Sequence, residues 1–136
     1  MEFKSNFKVY YEDTDSGGVV YYANYLKFLE RARTDAITSL NFSNKNLIEK
    51  FGIYIIVKSC NVNFHKPAKL EDNLNIISKV LEVKNVSIRM IQNIFVNESG
   101  QIVPIDFGIM GRLDNVSKRF LAEILFGFIQ RDYKKV

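Results

Sequence analysis

Residues 10–25 read Tyr10-Tyr11-Glu12-Asp13-Thr14-Asp15-Ser16-Gly17-Gly18-Val19-Val20-Tyr21-Tyr22-Ala23-Asn24-Tyr25. A polar, Gly-rich loop, Glu12 to Gly18, separates two segments of different period. Upstream, Phe3, Ser5, Phe7, Val9 and Tyr11 alternate with polar residues, which predicts a strand. Downstream, Tyr22, Tyr25, Leu26, Leu29, Ala32, Ala36, Ile37 and Leu40 recur every three or four residues. That spacing predicts a helix from Tyr22 to about Leu40 with one buried stripe. Lys27, Glu30, Arg31, Thr34 and Asp35 fall on its other face. At ~1.5 Å per residue such a helix is on the order of 27 Å long.

Working outward, Asn44 to Phe51 reads as a shorter helix, with Asn44 as its cap and Gly52 just past its end. From there the period becomes β. Ile53–Phe64, Leu74–Val83 and Val86–Val96 are strand-like, and residues 66–73 connect the first two. Asn97 to Gly100 is a turn, and 101–118 is ambiguous, with Ile102 to Met110 as a candidate strand extension. Arg119 to about Arg131 is expected as the final strand. One strand, one long helix and then successive strands define an α+β class with antiparallel pairing. The 136 residues suit one domain, 1–136. The 119–131 stretch is apolar on both faces, as is much of Ile53–Phe64, and one helix covers only one face of a sheet. The uncovered apolar area predicts a second protein surface, a homo-oligomer.

Composition excludes some chemistry. There is one Cys, Cys60, and one His, His65, so no internal disulfide and no structural zinc site of Cys and His ligands can form. A Ser-His-Asp or Cys-His machine would have to use His65. Cys60 alternates with Val62 and Phe64 and is expected as a small core residue, and His65 as a packed or surface residue. The net charge of +4 is scattered rather than clustered, which disfavours nucleic acid as a partner. The opening residues Met1 to Lys8 lack the basic and apolar regions of a signal peptide, and no apolar run reaches ~18 residues. A cytoplasmic protein without an integral membrane segment is expected.

In the loop, two carboxylates lie two residues apart ahead of a helix start. N–H groups at a helix start lack internal acceptors, and the helix macrodipole adds positive potential there. A carboxylate facing such a place can act on an acyl group as nucleophile or general base, with the helix start as the oxyanion site. Residue types alone leave two other readings open. The segment can be a turn with capping carboxylates, or Asp13 and Asp15 can bind a metal.

The run YYEDTDSGGVVYYANYLKFLERAR resembles the signature of the 4-hydroxybenzoyl-CoA thioesterase-like hotdog family. Within it, the run is most similar to the acyl-CoA thioesterases associated with the Tol–Pal cluster. Weaker matches are Pro67-Ala68, Asp72, and Glu123 to Gln130 as a closing strand. The resemblance implies a hotdog fold, a long central helix wrapped by a five-stranded antiparallel sheet. It implies thioester hydrolysis of an acyl-CoA, no metal or other cofactor, and a homodimer or homotetramer. On the matching positions it puts the catalytic carboxylate at Asp15, a carbonyl-polarising backbone N–H at Tyr22, and close backbone approach at Gly18. Asp13 would hold the loop, Asn24 and Tyr25 would line or buttress the site, and Lys84 would meet the phosphates of coenzyme A. Tol–Pal-type members carry His where this chain has Tyr22, a departure that motivates a non-catalytic acyl-binding or scaffold protein of the same fold as the alternative. Glu30 is a rival base on the helix, expected instead in an ion pair with Arg31 or Arg33.

Overall fold

The computed structural model describes residues 1–96 in full and the course and pairing of 101–112. The chain runs β1 (Glu2–Lys8), a short 3-10 turn (Tyr11–Asp13), α1 (Asn24–Ser39), α2 (Asn44–Phe51), β2 (Tyr54–Val62), β3 (Asn73–Val83), β4 (Ser87–Val96) and β5 (Gln101–Arg112). The strands form one sheet in the order β1-β3-β4-β5-β2, and every pairing is antiparallel. The α+β class holds. The ambiguous stretch with Ile102 to Met110 as a candidate strand extension is a strand, Gln101–Arg112, and the final strand expected at 119–131 lies outside the described residues. β5 fills the gap between β4 and β2.

One face of the sheet carries the core. Leu74, Ile76 and Ser78 on β3 face inward in step with Val96, Ile94 and Gln92 on β4, which are their direct cross-strand partners. Against them pack Tyr25, Phe28, Leu29 and Ala32 of α1, together with Val9, Val20 and Ala68. The buried stripe of α1 is thus Tyr25, Phe28, Leu29, Ala32 and Ala36. Tyr22 and Leu26, expected in that stripe, are exposed, and Phe28 takes the centre. A 3.6-residue period allows neighbouring stripes that share Tyr25 and Leu29, and the sheet's position selects one.

The helix ends differ. α2 is capped by Ser43, whose Oγ accepts from Asn46 N–H at 3.0 Å, so the cap is one residue ahead of the expected Asn44. Gly52 closes α2 in a left-handed conformation, φ 63°, as expected of a residue past the end. α1 starts at Asn24, two residues later than the period implied. Its N-cap is Ala23, which offers no side-chain acceptor.

β2 lies at one edge of the sheet, and from Tyr54 to Asn61 its side chains are exposed. Cys60 is therefore exposed and not the core residue that the alternation implied. Alternation marks the two faces of a strand, but only a covering layer makes one of them core. Glu30 keeps an electrostatic link to Arg33, as expected, but its hydrogen bond goes elsewhere. It accepts from Thr34 Oγ1 at 2.7 Å, while Arg31 lies over the Phe28 ring, 5.5 Å from its centroid, and Arg33 turns to Gln92.

Candidate active site

The site is assembled where the end of β1, the loop, the start of α1 and the β2–β3 connection meet. Val9 N–H donates to Asp72 O at 2.9 Å, and Glu71 N–H donates to Val9 O at 3.0 Å. Asp72 also accepts Lys69 N–H on Oδ2 at 2.8 Å, which tightens the 66–73 connection. Val20 N–H donates to Ala68 O, and Ala68 N–H donates to the Tyr25 hydroxyl at 2.9 Å. Fully buried Ala68 thus joins the loop to the helix with both of its backbone groups.

Asp13 is only 4% exposed, and its two oxygens accept Tyr10 N–H at 2.9 Å and Asn24 Nδ2–H at 3.3 Å. Its carbonyl accepts Tyr21 N–H. Asp13 and buried Asn24 therefore hold each other, which ties the loop to the first residue of α1. Asp15 behaves differently. It is exposed, and its Oδ1 accepts Gly17 N–H at 2.8 Å. Asp15 N–H pairs with Val19 O, and Gly18 N–H with Asp15 O, so the carboxylate sits on a closed loop. Gly18 adopts φ +77°, a conformation that a side chain would strain by about 1–2 kcal/mol. A Cβ on Gly17 would lie 3.1 Å from Asp15 Oδ1, so Gly17 leaves room for this carboxylate while Gly18 turns the loop. The two aspartates do not converge as metal ligands, since the oxygens of Asp13 are turned to protein donors.

At the helix start, Asn24 N–H donates to Tyr21 O and Leu26 N–H to Ala23 O. The N–H groups of Tyr22 and Ala23 have no acceptor among the described residues. Tyr22 lies in the turn just ahead of α1 and is exposed. Its ring is 4.8 Å from Tyr21 and 6.4 Å from Phe64, and Phe64 is 5.6 Å from Tyr25. A hydrogen bond with Tyr22 raises the Tyr21 phenol above its ordinary value. Burial does the same for Tyr25, although the Ala68 N–H opposes it. Phe64 joins this site without having been marked as a site residue, and its available signal was position, two residues past the end of β2. Ala68, named only among the weaker matches, joins it from the 66–73 connection.

Lys84 is not brought to the loop within one chain. It sits in the β3–β4 turn, 3.6 Å from Glu82. The loop is tied at the other end of β3, through Asp72, on the order of 33 Å away along the strand. His65 is exposed. Tyr25→Phe is expected to leave the buried Ala68 N–H without its acceptor and to cost about 1–3 kcal/mol, read as a lower denaturation midpoint.

The structure thus holds an exposed carboxylate on a hydrogen-bonded loop, and a helix start whose N-cap offers no side-chain acceptor. Comparison with known proteins gives the family. The Thioesterase superfamily profile matches residues 17–103, from the Asp15 loop to the first residues of β5, and the chain belongs to this family. A second profile, the ABC1 atypical kinase-like domain, matches residues 91–136, less than half of the chain. The acyl-CoA thioesterase YbgC of Haemophilus influenzae is 44% identical over 90 residues, 66% of each chain. The acyl-CoA thioesterase YbgC of Helicobacter pylori is 36% identical over 124 residues, 91% of this chain and 84% of the relative. The 4-hydroxybenzoyl-CoA thioesterase structure from Pseudomonas sp. strain CBS-3 superposes with a TM-score of 0.76, at 21% identity, over 82% of this chain and 85% of that one. The fold is therefore the hotdog fold, as the resemblance implied. The matches to Glu123–Gln130 lie outside the described residues.

Proposed function

We propose that this chain, an acyl-CoA thioesterase of the Thioesterase superfamily, uses Asp15 as its catalytic carboxylate. Water adds to the acyl carbon, the carbon–sulfur bond breaks, and a free acid and a CoA thiol leave. Asp15 acts either on the acyl carbon, through a mixed anhydride that water then opens, or on the water as general base. The Tyr22 N–H faces the developing oxyanion, and the positive φ of Gly18 shapes the approach. Asp13 and Asn24 hold this geometry from within, while Tyr25 buttresses it against Ala68. The carrying observation is the contrast between the two helices. Ser43 caps α2, whereas α1 starts at Asn24 behind Ala23, an N-cap with no side-chain acceptor, and the N–H groups of Tyr22 and Ala23 have no acceptor among the described residues.

The proposed assembly is a homodimer or a dimer of dimers. Tyr54, Ile55, Ile56 and Val57 are exposed along the β2 edge, and the rings of Tyr22 and Phe64 carry the exposed surface from the end of β2 to the site. An open edge with large apolar side chains is the surface that a second copy covers. A partner would also shield Asp15 from water and bring its own Lys84 within reach of coenzyme A. Light scattering is expected to give a mass of at least twice the chain, and a monomer overturns the assembly. The proposed location is the cytoplasm, where the exposed Cys60 thiol stays reduced.

The test is free-thiol release with a panel of short, long and aromatic acyl-CoAs. Hydrolysis of at least one supports the reading. Measurable acyl-CoA binding without hydrolysis of any establishes the non-catalytic alternative, which Tyr22 in place of His motivates.

A further inference from the structure

Most of the interface between α1 and the sheet is apolar, but polar side chains enter it on β3 and β4. There Ser78 and Gln92, 1% and 0% exposed, lie opposite each other on β3 and β4. Gln92 Nε2 donates to Ser78 Oγ at 2.8 Å and to the Leu29 carbonyl at 3.2 Å. Its Oε1 accepts from Arg33 Nη1 at 2.9 Å. A guanidinium only donates, so the orientation of the amide is determined, with both hydrogens and the oxygen engaged. Burial lowers the Arg33 guanidinium below its ordinary value, while Glu30 and Cys60 act the other way. Leu29 and Arg33 are one turn apart, so Gln92 grips the helix by a main-chain carbonyl and by a side chain.

Apolar contact is non-directional and tolerates a small slide of one element over another. Hydrogen bonds weaken steeply when distance or angle changes. Replacing a buried polar network by apolar residues often costs little stability, and in some proteins such a network instead selects one arrangement. Leu29 is five residues past Asn24, about 7.5 Å from the start of α1. The Asp15 loop is tied to the same sheet through Val9–Asp72 and Val20–Ala68. The sheet is therefore the common reference for both halves of the site.

We propose that Gln92 is a positioning residue for the thioester hydrolysis: through Leu29 O and Arg33 it sets the register of α1 that places the Tyr22 N–H opposite Asp15. The inference rests on the catalytic reading of Asp15 and Tyr22. Gln92→Met keeps length and volume without the hydrogen bonds, and Ser78→Ala/Gln92→Met also removes the buried hydroxyl that the first change leaves unpaired. Should the single variant not fold, the double variant carries the same readouts. Expected in a folded variant is a kcat at least tenfold lower with KM within threefold of wild type. Exchange of the Asn24 and Leu26 amides, which close the first turn, should become at least tenfold faster. A kcat within twofold of wild type in either folded variant overturns the proposal, whatever the exchange shows. If the wild type hydrolyses no thioester, the catalytic reading fails by itself, and exchange within twofold of wild type would then overturn the claim that Gln92 sets the helix start.

Discussion

Asp15→Asn is expected to lower kcat for thioester hydrolysis by about 10²–10⁴-fold, the range associated with loss of a positioned acid–base group. The substitution is chosen because it separates charge from shape. The Asn carbonyl oxygen can still accept Gly17 N–H, as Asp15 Oδ1 does at 2.8 Å, so the loop keeps its closure. What disappears is the anionic oxygen that attacks the acyl carbon or takes a proton from water. Folding should be little affected, because Asp15 is exposed. Thiol release at saturating acyl-CoA, together with thermal melting, checks the result. Unchanged kcat in the folded variant would remove Asp15 from the mechanism and leave the helix start without its carboxylate. The contrast with Asp13 is informative here, since that carboxylate is buried on Tyr10 and Asn24 and its loss should act through loop geometry.

Phe28→Ala is expected to cost about 3–5 kcal/mol of stability, the usual range for emptying a large aromatic site in a core. Phe28 is 1% exposed, lies 6.0 Å from the Phe7 ring, and carries the Arg31 guanidinium above its face. It belongs to the stripe that seats α1 on the sheet, next to Leu29 and Ala32. A domain of this size has about 5–15 kcal/mol in total, so the loss is a large part of it. Denaturant titration should show a lower midpoint with an unchanged slope. A loss below about 1 kcal/mol would mean that Phe28 is not the centre of the interface. An equal loss is not expected at Leu26, which shares the helix but is 43% exposed.

Much of the fold was legible because secondary structure follows local period. The alternation of Phe3, Ser5 and Phe7, the three-to-four spacing of α1, and the strands at 73–83 and 87–96 are all properties of neighbouring residues. Burial was less legible. Tyr22 and Leu26 fit the helical stripe as well as Phe28 does, and Cys60 alternates as a core residue would. Which of them is covered depends on what lies opposite, and β2 lies at the sheet's edge with its side chains from Tyr54 to Asn61 exposed. Gln92 and Ser78 left a signal that was available and not read. Each is a polar residue in phase with an apolar face, between Met90 and Ile94 and after Leu74 and Ile76.

The sequence by itself determined the α+β order, the long helix and the identity of the loop, since each rests on contacts within a few residues. It also bounded the chemistry, because a chain with one Cys and one His leaves carboxylates as the principal acid–base groups. The resemblance already separated a loop-holding Asp13 from Asp15, but only the tertiary structure showed why: Asp13 is a buried tie and Asp15 an exposed carboxylate. The two are two residues apart and chemically alike, and what separates them is Asn24 and Tyr10 on one side and Gly17 on the other. The register of α1 on the sheet was likewise a tertiary matter, set by a hydrogen-bonded glutamine 63 residues from the carbonyl it holds. Local period determines where a helix runs, but only distant partners with directional bonds determine where it stops sliding.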